Sequence, residues 1–124
     1  MLKSKILICD DSIQYLRMLQ MVLGTMTGAE VFTEREAKNI YKRLIEQEYD
    51  LLIMDPCMMN MTCEKLIAEI KKEKRLQHLS ILCLSLDNNA ENIANKAGAD
   101  NFLSKLGDLS VLISLVNDAL RNKD

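Results

Sequence analysis

The chain has 124 residues, which fits one compact domain and leaves little room for a second. Apolar residues make up 48 %, enough to fill a core, and the formal charge is -2. That balance argues against nucleic acid or an anionic membrane as the main partner, since both call for a basic face. No apolar run approaches the ~20 residues of a membrane span. The N-terminus, MLKSKILICDD, turns acidic too early for a secretory signal. The expected location is cytoplasmic, with no membrane and no direct nucleic-acid partner.

Taken in chain order, apolar runs alternate with helical patterns. Ile6-Leu7-Ile8-Cys9 is short, apolar on both faces, and ends in Asp10-Asp11. A helix follows, with Ile13, Leu16, Leu19, Val22 and Leu23 at helical spacing and Ser12 or Asp11 placed to cap it. A weaker strand is expected at Glu30 to Thr33, then a second helical stripe of Ala37, Ile40, Tyr41, Leu44 and Ile45. Leu51-Leu52-Ile53-Met54 is the next continuous run and ends in Asp55. The third helical stripe is Leu66, Ile67 and Ile70, with lysines near its end, where cations suit the helix dipole. Ile81-Leu82-Cys83-Leu84 ends in Ser85. A fourth helix is expected from Asn89 to Ala97, closed by Gly98. A weak fifth strand runs from Asn101 to Ser104, and Asp108 caps a fifth helix through Leu120.

Continuous apolar runs suit strands of a parallel sheet covered on both sides. A strand-helix unit repeated five times implies an α/β fold, a doubly wound parallel sheet in a three-layer α/β/α sandwich. Such sheets bind ligands beyond the carboxyl ends of their strands. Asp10, Asp11, Asp55, Ser85 and Lys105 all fall there. Three carboxylates at one sheet end repel one another unless a cation joins them. Hard carboxylate oxygens suit Mg²⁺, which takes one or two protein carboxylates together with a substrate phosphate. A lysine adds a mobile point charge, and a serine hydroxyl donates to a phosphoryl oxygen. The chemistry implied is phosphoryl transfer with an aspartate as nucleophile.

Each of these residues has an ordinary reading as well. Asp10-Asp11-Ser12 is a good helix start, Asp55 before Pro56 a turn, Ser85 a strand-end turn former, and Lys105 a solvated lysine. The conjunction separates the readings, because each acid or hydroxyl closes one of the three strongest strands. Asp55 lies 30 residues before Ser85 and 50 before Lys105.

KILICDDS, LLIMDPCM, ILCLSL and GADNFLSK resemble, in order and spacing, the signature segments of the receiver domain of two-component response regulators. The resemblance covers nearly the whole chain as a single receiver domain, residues 1–124, and implies a flavodoxin-like sheet of order 2-1-3-4-5. It implies Asp55 as the phosphoacceptor and Asp10 and Asp11 as the acid pair for Mg²⁺, with Mn²⁺ as a possible substitute. Asp11 would bind the metal directly and Asp10 largely through water, with Asp55 also at the ion. Cys57 would contribute its backbone carbonyl to the same ion. Ser85 and Lys105 would contact the phosphoryl group, and Phe102 would act as an aromatic switch coupled to Ser85. A buried strand aromatic is the ordinary alternative for Phe102.

The implied function is that of a phosphorelay signalling domain rather than an enzyme acting on a separate substrate. A sensor histidine kinase or phosphotransfer protein would donate the phosphoryl group. A downstream protein would bind through the face of the fourth helix, fifth strand and fifth helix (α4-β5-α5). The domain would be a monomer or a phosphorylation-dependent dimer, either stand-alone or part of a longer regulator.

The sequence departs from the family pattern at four places. Leu106 follows the lysine where proline in a cis peptide is usual. A cis bond to a non-proline residue costs about 2.5–4 kcal/mol, so Lys105–Leu106 is expected to be trans, with Lys105 set less well over the phosphate. Met59 and Cys63 stand where proline and glycine are usual, which predicts an altered loop. Leu86 replaces a small residue and is expected to narrow access to Asp55.

Two other readings remain. One is a pseudo-receiver that binds partners without phosphate. The other is a soft-metal site built from Cys57, Met58, Met59, Met61 and Cys63, set against methionine's ordinary role as packing material. The usual zinc spacings are absent, since the chain has no Cys-x-x-Cys pair and His78 is its only histidine. Cys9 and Cys83 fall inside apolar runs, where a reduced thiol behaves as a small hydrophobe, and no disulfide framework is expected. A nucleotide-binding enzyme is disfavoured, because no glycine-rich phosphate loop follows the first strand.

Overall fold

A computed structural model of the chain describes residues 3–58 and 62–121. The apolar runs and helical stripes become β1 (Lys5–Cys9), α1 (Ile13–Thr27), β2 (Glu30–Glu34), α2 (Ile40–Glu46), β3 (Leu51–Met54), α3 (Cys63–Lys72), β4 (Ser80–Ser85), α4 (Ala90–Ala97), β5 (Asn101–Ser104) and α5 (Leu109–Arg121). The strands form one parallel sheet in the order β2-β1-β3-β4-β5, the order the resemblance implied. The central strands β1, β3 and β4 are buried almost throughout, and the edge strands β2 and β5 are only partly buried.

Side chains alternate across a strand, so each run feeds two cores. Leu7, Cys9, Leu52, Met54, Ile81 and Cys83 pack against α2, α3 and α4 through Ile40, Leu44, Cys63, Ile67, Ile70 and Ala94. Ile6, Ile8, Leu51, Ile53, Leu82 and Leu84 pack against α1 and α5 through Leu16, Leu19, Leu23, Leu112 and Val116. This is why the runs are apolar on both faces.

Helix ends follow local chemistry. Ser12 caps α1 by accepting the Tyr15 N–H at 3.2 Å, and Gly28 closes the helix at φ 74°, a left-handed angle that glycine takes without a Cβ penalty. Gly98 does the same for α4 at φ 104°. Asp108 Oδ1 accepts the Ser110 N–H at 2.9 Å at the start of α5.

The second helix begins later than its stripe suggests, because Ala37–Asn39 form a 3₁₀ turn. The cause is Glu34. Its Oε2 accepts the Glu36 N–H at 2.9 Å and the Asn39 amide at 3.2 Å, and its Oε1 accepts from Arg43 Nη1 at 3.2 Å. Burial alone would raise the Glu34 pKa, but these donors outweigh it and hold the carboxyl below its usual value. A depressed carboxylate contributes stability above its unfolded pKa and loses it as pH falls through the folded value. Glu34→Gln is therefore expected to cost about 1–2 kcal/mol at pH 7, with the difference from wild type beginning to shrink only below about pH 4, the ordinary carboxylate range, and falling further as pH drops through the depressed folded value. Urea melts at pH 7 and pH 3.5 check this, and equal differences at both would refute it.

Candidate functional site

Asp10 and Asp55 leave neighbouring strands side by side. Cys9 pairs in register with Met54, and the Asp55 N–H donates to the Cys9 carbonyl at 3.2 Å. Two carboxylates this close, with Asp10 only 2 % exposed, call for a cation. Lys105 supplies it. Its Nζ donates to Asp10 Oδ2 at 2.5 Å and to Asp55 Oδ2 at 2.8 Å. The lysine and Asp55 side chains are 9 % and 13 % exposed. Lys105 follows β5, where its N–H donates to the Ser85 carbonyl at 2.9 Å. Its long stem then carries the charge past the end of β4.

The other carboxylate oxygens are held by the turns that follow them. Asp10 Oδ1 accepts the Ser12 N–H at 2.9 Å, and Asp55 Oδ1 accepts the Cys57 N–H at 2.8 Å. Both are side-chain turns of the kind aspartate forms with the backbone two residues on. Asp11 is exposed beside them, and Cys57 is exposed.

Sequence reasoning missed Tyr15. The Lys105 ammonium lies 4.5 Å from its ring centroid, within cation–π range. The available signal was its place three residues after the Ser12 cap, in the helical turn nearest the strand ends. Burial pulls the Lys105 pKa down, but the hydrogen bonds and charges of Asp10 and Asp55 outweigh it and leave the ammonium above its ordinary value. Burial raises the Tyr15 pKa, against the pull of Lys105, and the phenol stays protonated at neutral pH.

Ser85 is 2 % exposed, and its Oγ accepts the Asp87 N–H at 3.1 Å. Phe102 is half-buried and sits in register beside Cys83, packed against the α2–α4 side of the sheet. Ser85 and Phe102 thus share the strand phase of Cys83. Asp10, Asp55 and Lys105 share the phase of Ile8, Ile53 and Leu103, which pack on the α1–α5 side.

Among the described residues no group of three or more His, Cys, Asp and Glu is gathered tightly enough to cage a metal by itself. Mg²⁺ asks for less, since it keeps several waters and takes one or two carboxylates. Asp10, Asp11 and Asp55 carry three negative charges against one lysine, and the Cys57 carbonyl adds a hard oxygen. That donor set fits such an ion.

Residues 6–117 match the family model for the response regulator receiver domain. The chain belongs to that family. The receiver is 38 % identical over 81 residues to hybrid signal transduction histidine kinase M of Dictyostelium discoideum, covering 61 % of this chain and 3 % of the kinase. It is 36 % identical over 62 residues to two-component response regulator ORR8 of Oryza sativa subsp. indica, covering 48 % of this chain and 51 % of that protein. The receiver therefore spans about half of the rice regulator and a small fraction of the kinase. In fold it matches chemotaxis response regulator CheY4 of Vibrio cholerae with a TM-score of 0.82 at 21 % identity, over 95 % of this chain and 99 % of that one. No helix among the described residues is long and apolar enough to cross a membrane.

The departures from the family pattern now have positions. No cis peptide occurs among the described residues, so Lys105–Leu106 is trans as expected. The loop turns on Ser104, and Lys105 reaches both Asp10 and Asp55. Ser104 Oγ accepts the Leu106 N–H and its carbonyl accepts the Gly107 N–H, each at 3.1 Å. Cys63 is not strained in a loop. It is the first residue of α3, where helical angles suit any residue, and it is buried in the core. Leu86 is 62 % exposed just past β4. Met59 and Met61 lie outside the described residues. Of the remaining soft-metal candidates, Met58 and Cys63 are core residues and Cys57 is exposed.

Proposed function

We propose that this receiver accepts a phosphoryl group on Asp55 from a phosphohistidine of a sensor histidine kinase or phosphotransfer protein. The observation that carries the reading is Asp55 itself, a partly exposed carboxylate fixed by the Cys57 N–H on one oxygen and paired with Lys105 on the other. A carboxylate oxygen of Asp55 attacks phosphorus in line, and the donor imidazole leaves. Lys105, already held as an ammonium, follows the charge from the carboxylate to the phosphoryl oxygens. Asp10 and Asp11, with Asp55 and the Cys57 carbonyl, would hold Mg²⁺, which neutralises phosphoryl oxygens when bound.

Ser85 and Phe102 act as the switch. The Ser85 hydroxyl turns from the Asp87 N–H toward the new phosphoryl group, Phe102 shifts with it, and the α4-β5-α5 face changes its affinity for a downstream protein. A phosphorylation-dependent dimer would use the same change.

Acetyl phosphate with Mg²⁺ is expected to add one phosphoryl mass to the intact protein. Asp55→Asn is expected to abolish the gain, and so is chelation of the metal. A gain that persists in Asp55→Asn would overturn the acceptor assignment. No gain in wild type, with no response to beryllofluoride, would favour a pseudo-receiver that binds without phosphate.

A further inference from the structure

The Lys105 side chain is not fixed by its own loop. The residue after it, Leu106, is 80 % exposed, and Gly107 beyond is exposed too. On the α5 side a cavity of about 260 Å³ opens beside it, walled by Leu84, Leu103, Leu109 and Leu112 and bordered by Tyr15 and Lys105. Packing therefore leaves the lysine stem room on that side. Contacts at the tip set the ammonium instead: Asp10 Oδ2 at 2.5 Å, Asp55 Oδ2 at 2.8 Å, and the Tyr15 ring face with its centroid at 4.5 Å.

The ring is itself placed from the acid pair. Asp10 Oδ1 accepts the Ser12 N–H at 2.9 Å, and Ser12 Oγ accepts the Tyr15 N–H at 3.2 Å. Tyr15 then faces Lys105, which returns to the other oxygen of Asp10. Asp10, Ser12, Tyr15 and Lys105 thus form a closed circuit, and the cap of α1 is one of its links.

We propose that Tyr15 is a positioning residue for phosphoryl uptake: its ring face seats the Lys105 ammonium beside Asp55, and Ser12 sets the ring. The inference rests on the phosphoacceptor reading of Asp55. In that reading the ammonium must leave the Asp55 carboxylate for the incoming phosphoryl oxygens. A hydrogen bond to a carboxylate holds it at one point. A ring face attracts a cation through its quadrupole, with no directed bond to break. Tyr15 therefore keeps hold of the ammonium while its other partner changes, and it bars the stem from swinging into the cavity. The ring also packs against the α1–α5 core, which is the ordinary role for such a residue. The variants separate the two roles, since leucine keeps an apolar side chain there and phenylalanine keeps the ring.

The first measurement uses no phosphodonor. Protons above a ring face are shielded, so the Lys105 ε-methylene signal, assigned by its loss in Lys105→Met, is expected upfield of the other lysines. Tyr15→Phe should keep that shift, Tyr15→Leu should lose it, and Ser12→Ala, which leaves the ring present but uncapped, should weaken it. The second measurement is phosphoryl uptake from acetyl phosphate with Mg²⁺. Tyr15→Leu is expected to be slower than wild type by roughly fivefold to thirtyfold. Tyr15→Phe should recover most of the loss, and Ser12→Ala should fall between. An ordinary lysine shift in wild type, uptake by Tyr15→Leu as fast as wild type, or Tyr15→Phe as slow as Tyr15→Leu would overturn the proposal. No uptake by wild type would overturn the phosphoacceptor reading, and the uptake role of Tyr15 with it, and so is told apart from a failure of Tyr15 alone.

Discussion

Lys105→Met is expected to lower stability at pH 7 by roughly 2–4 kcal/mol, and to reduce phosphoryl uptake from acetyl phosphate by at least about a hundredfold. The stability loss follows from removing one partner of a buried charge cluster, a change that typically costs about 3–5 kcal/mol. The lower figure allows for the partial exposure of Asp55. Methionine keeps the stem, so packing changes little and the lost charge dominates. Asp10, 2 % exposed, then faces Asp55 with no ammonium between them. The rate loss follows from the proposed function, in which the same ammonium would meet the charge moving onto the phosphoryl oxygens.

The sign of the pH dependence is fixed as well. The folded state holds Lys105 above its ordinary value, so its contribution is complete below about pH 10 and fades as pH rises through the folded value. Urea melts with and without Mg²⁺ test this. Adding Asp10→Asn to Lys105→Met should recover most of the stability and little of the phosphoryl uptake. A Lys105→Met protein as stable as wild type would show that the ammonium is not what makes the acid pair tolerable.

The second large effect is expected in the core. Ile53→Ala should cost about 2–5 kcal/mol, the range for removing a buried aliphatic side chain and leaving a cavity. Ile53 is 1 % exposed in the central strand, between Ile8 and Leu82 in register, and it packs on the α1–α5 side. Against a total stability of about 5–15 kcal/mol that is a large share. Ile53→Val should cost only about 0.5–1.5 kcal/mol. The midpoint should fall in both variants with an unchanged urea slope. Equal costs for the two would mean that the site collapses around the smaller residue.

Much of this architecture is legible in the chain itself. β1, β3 and β4 announce themselves because a strand buried on both faces has no room for polar alternation. Asp10, Asp55 and Ser85 stand out because each ends such a run. Other features depend on contacts that local pattern does not encode. The 3₁₀ turn before α2 comes from the Glu34 carboxylate collecting the Glu36 and Asn39 donors, a competition no apolar stripe records. The double pairing of Lys105 joins residues 95 and 50 positions apart. Tyr15 belongs to the site only because α1 brings its ring over that ammonium. Cys63 misled in the other direction. Counted in a glycine's place it implied an altered loop, whereas it is the first residue of α3 and packed in the core.

The two-residue alternation of the strands has a consequence for how this domain tolerates insertion and deletion. Asp55 keeps step with Ile53, and Lys105 with Leu103, while Ser85 keeps the opposite step with Cys83. A single residue inserted within β3 would turn Asp55 toward the Ser85 side and away from Asp10 and Lys105, even if every strand still formed. Two inserted residues would restore the facing and only slide the acid along the strand. The proposed acceptor is thus encoded by parity as much as by identity, and length changes inside these strands are compatible with the site only in even steps.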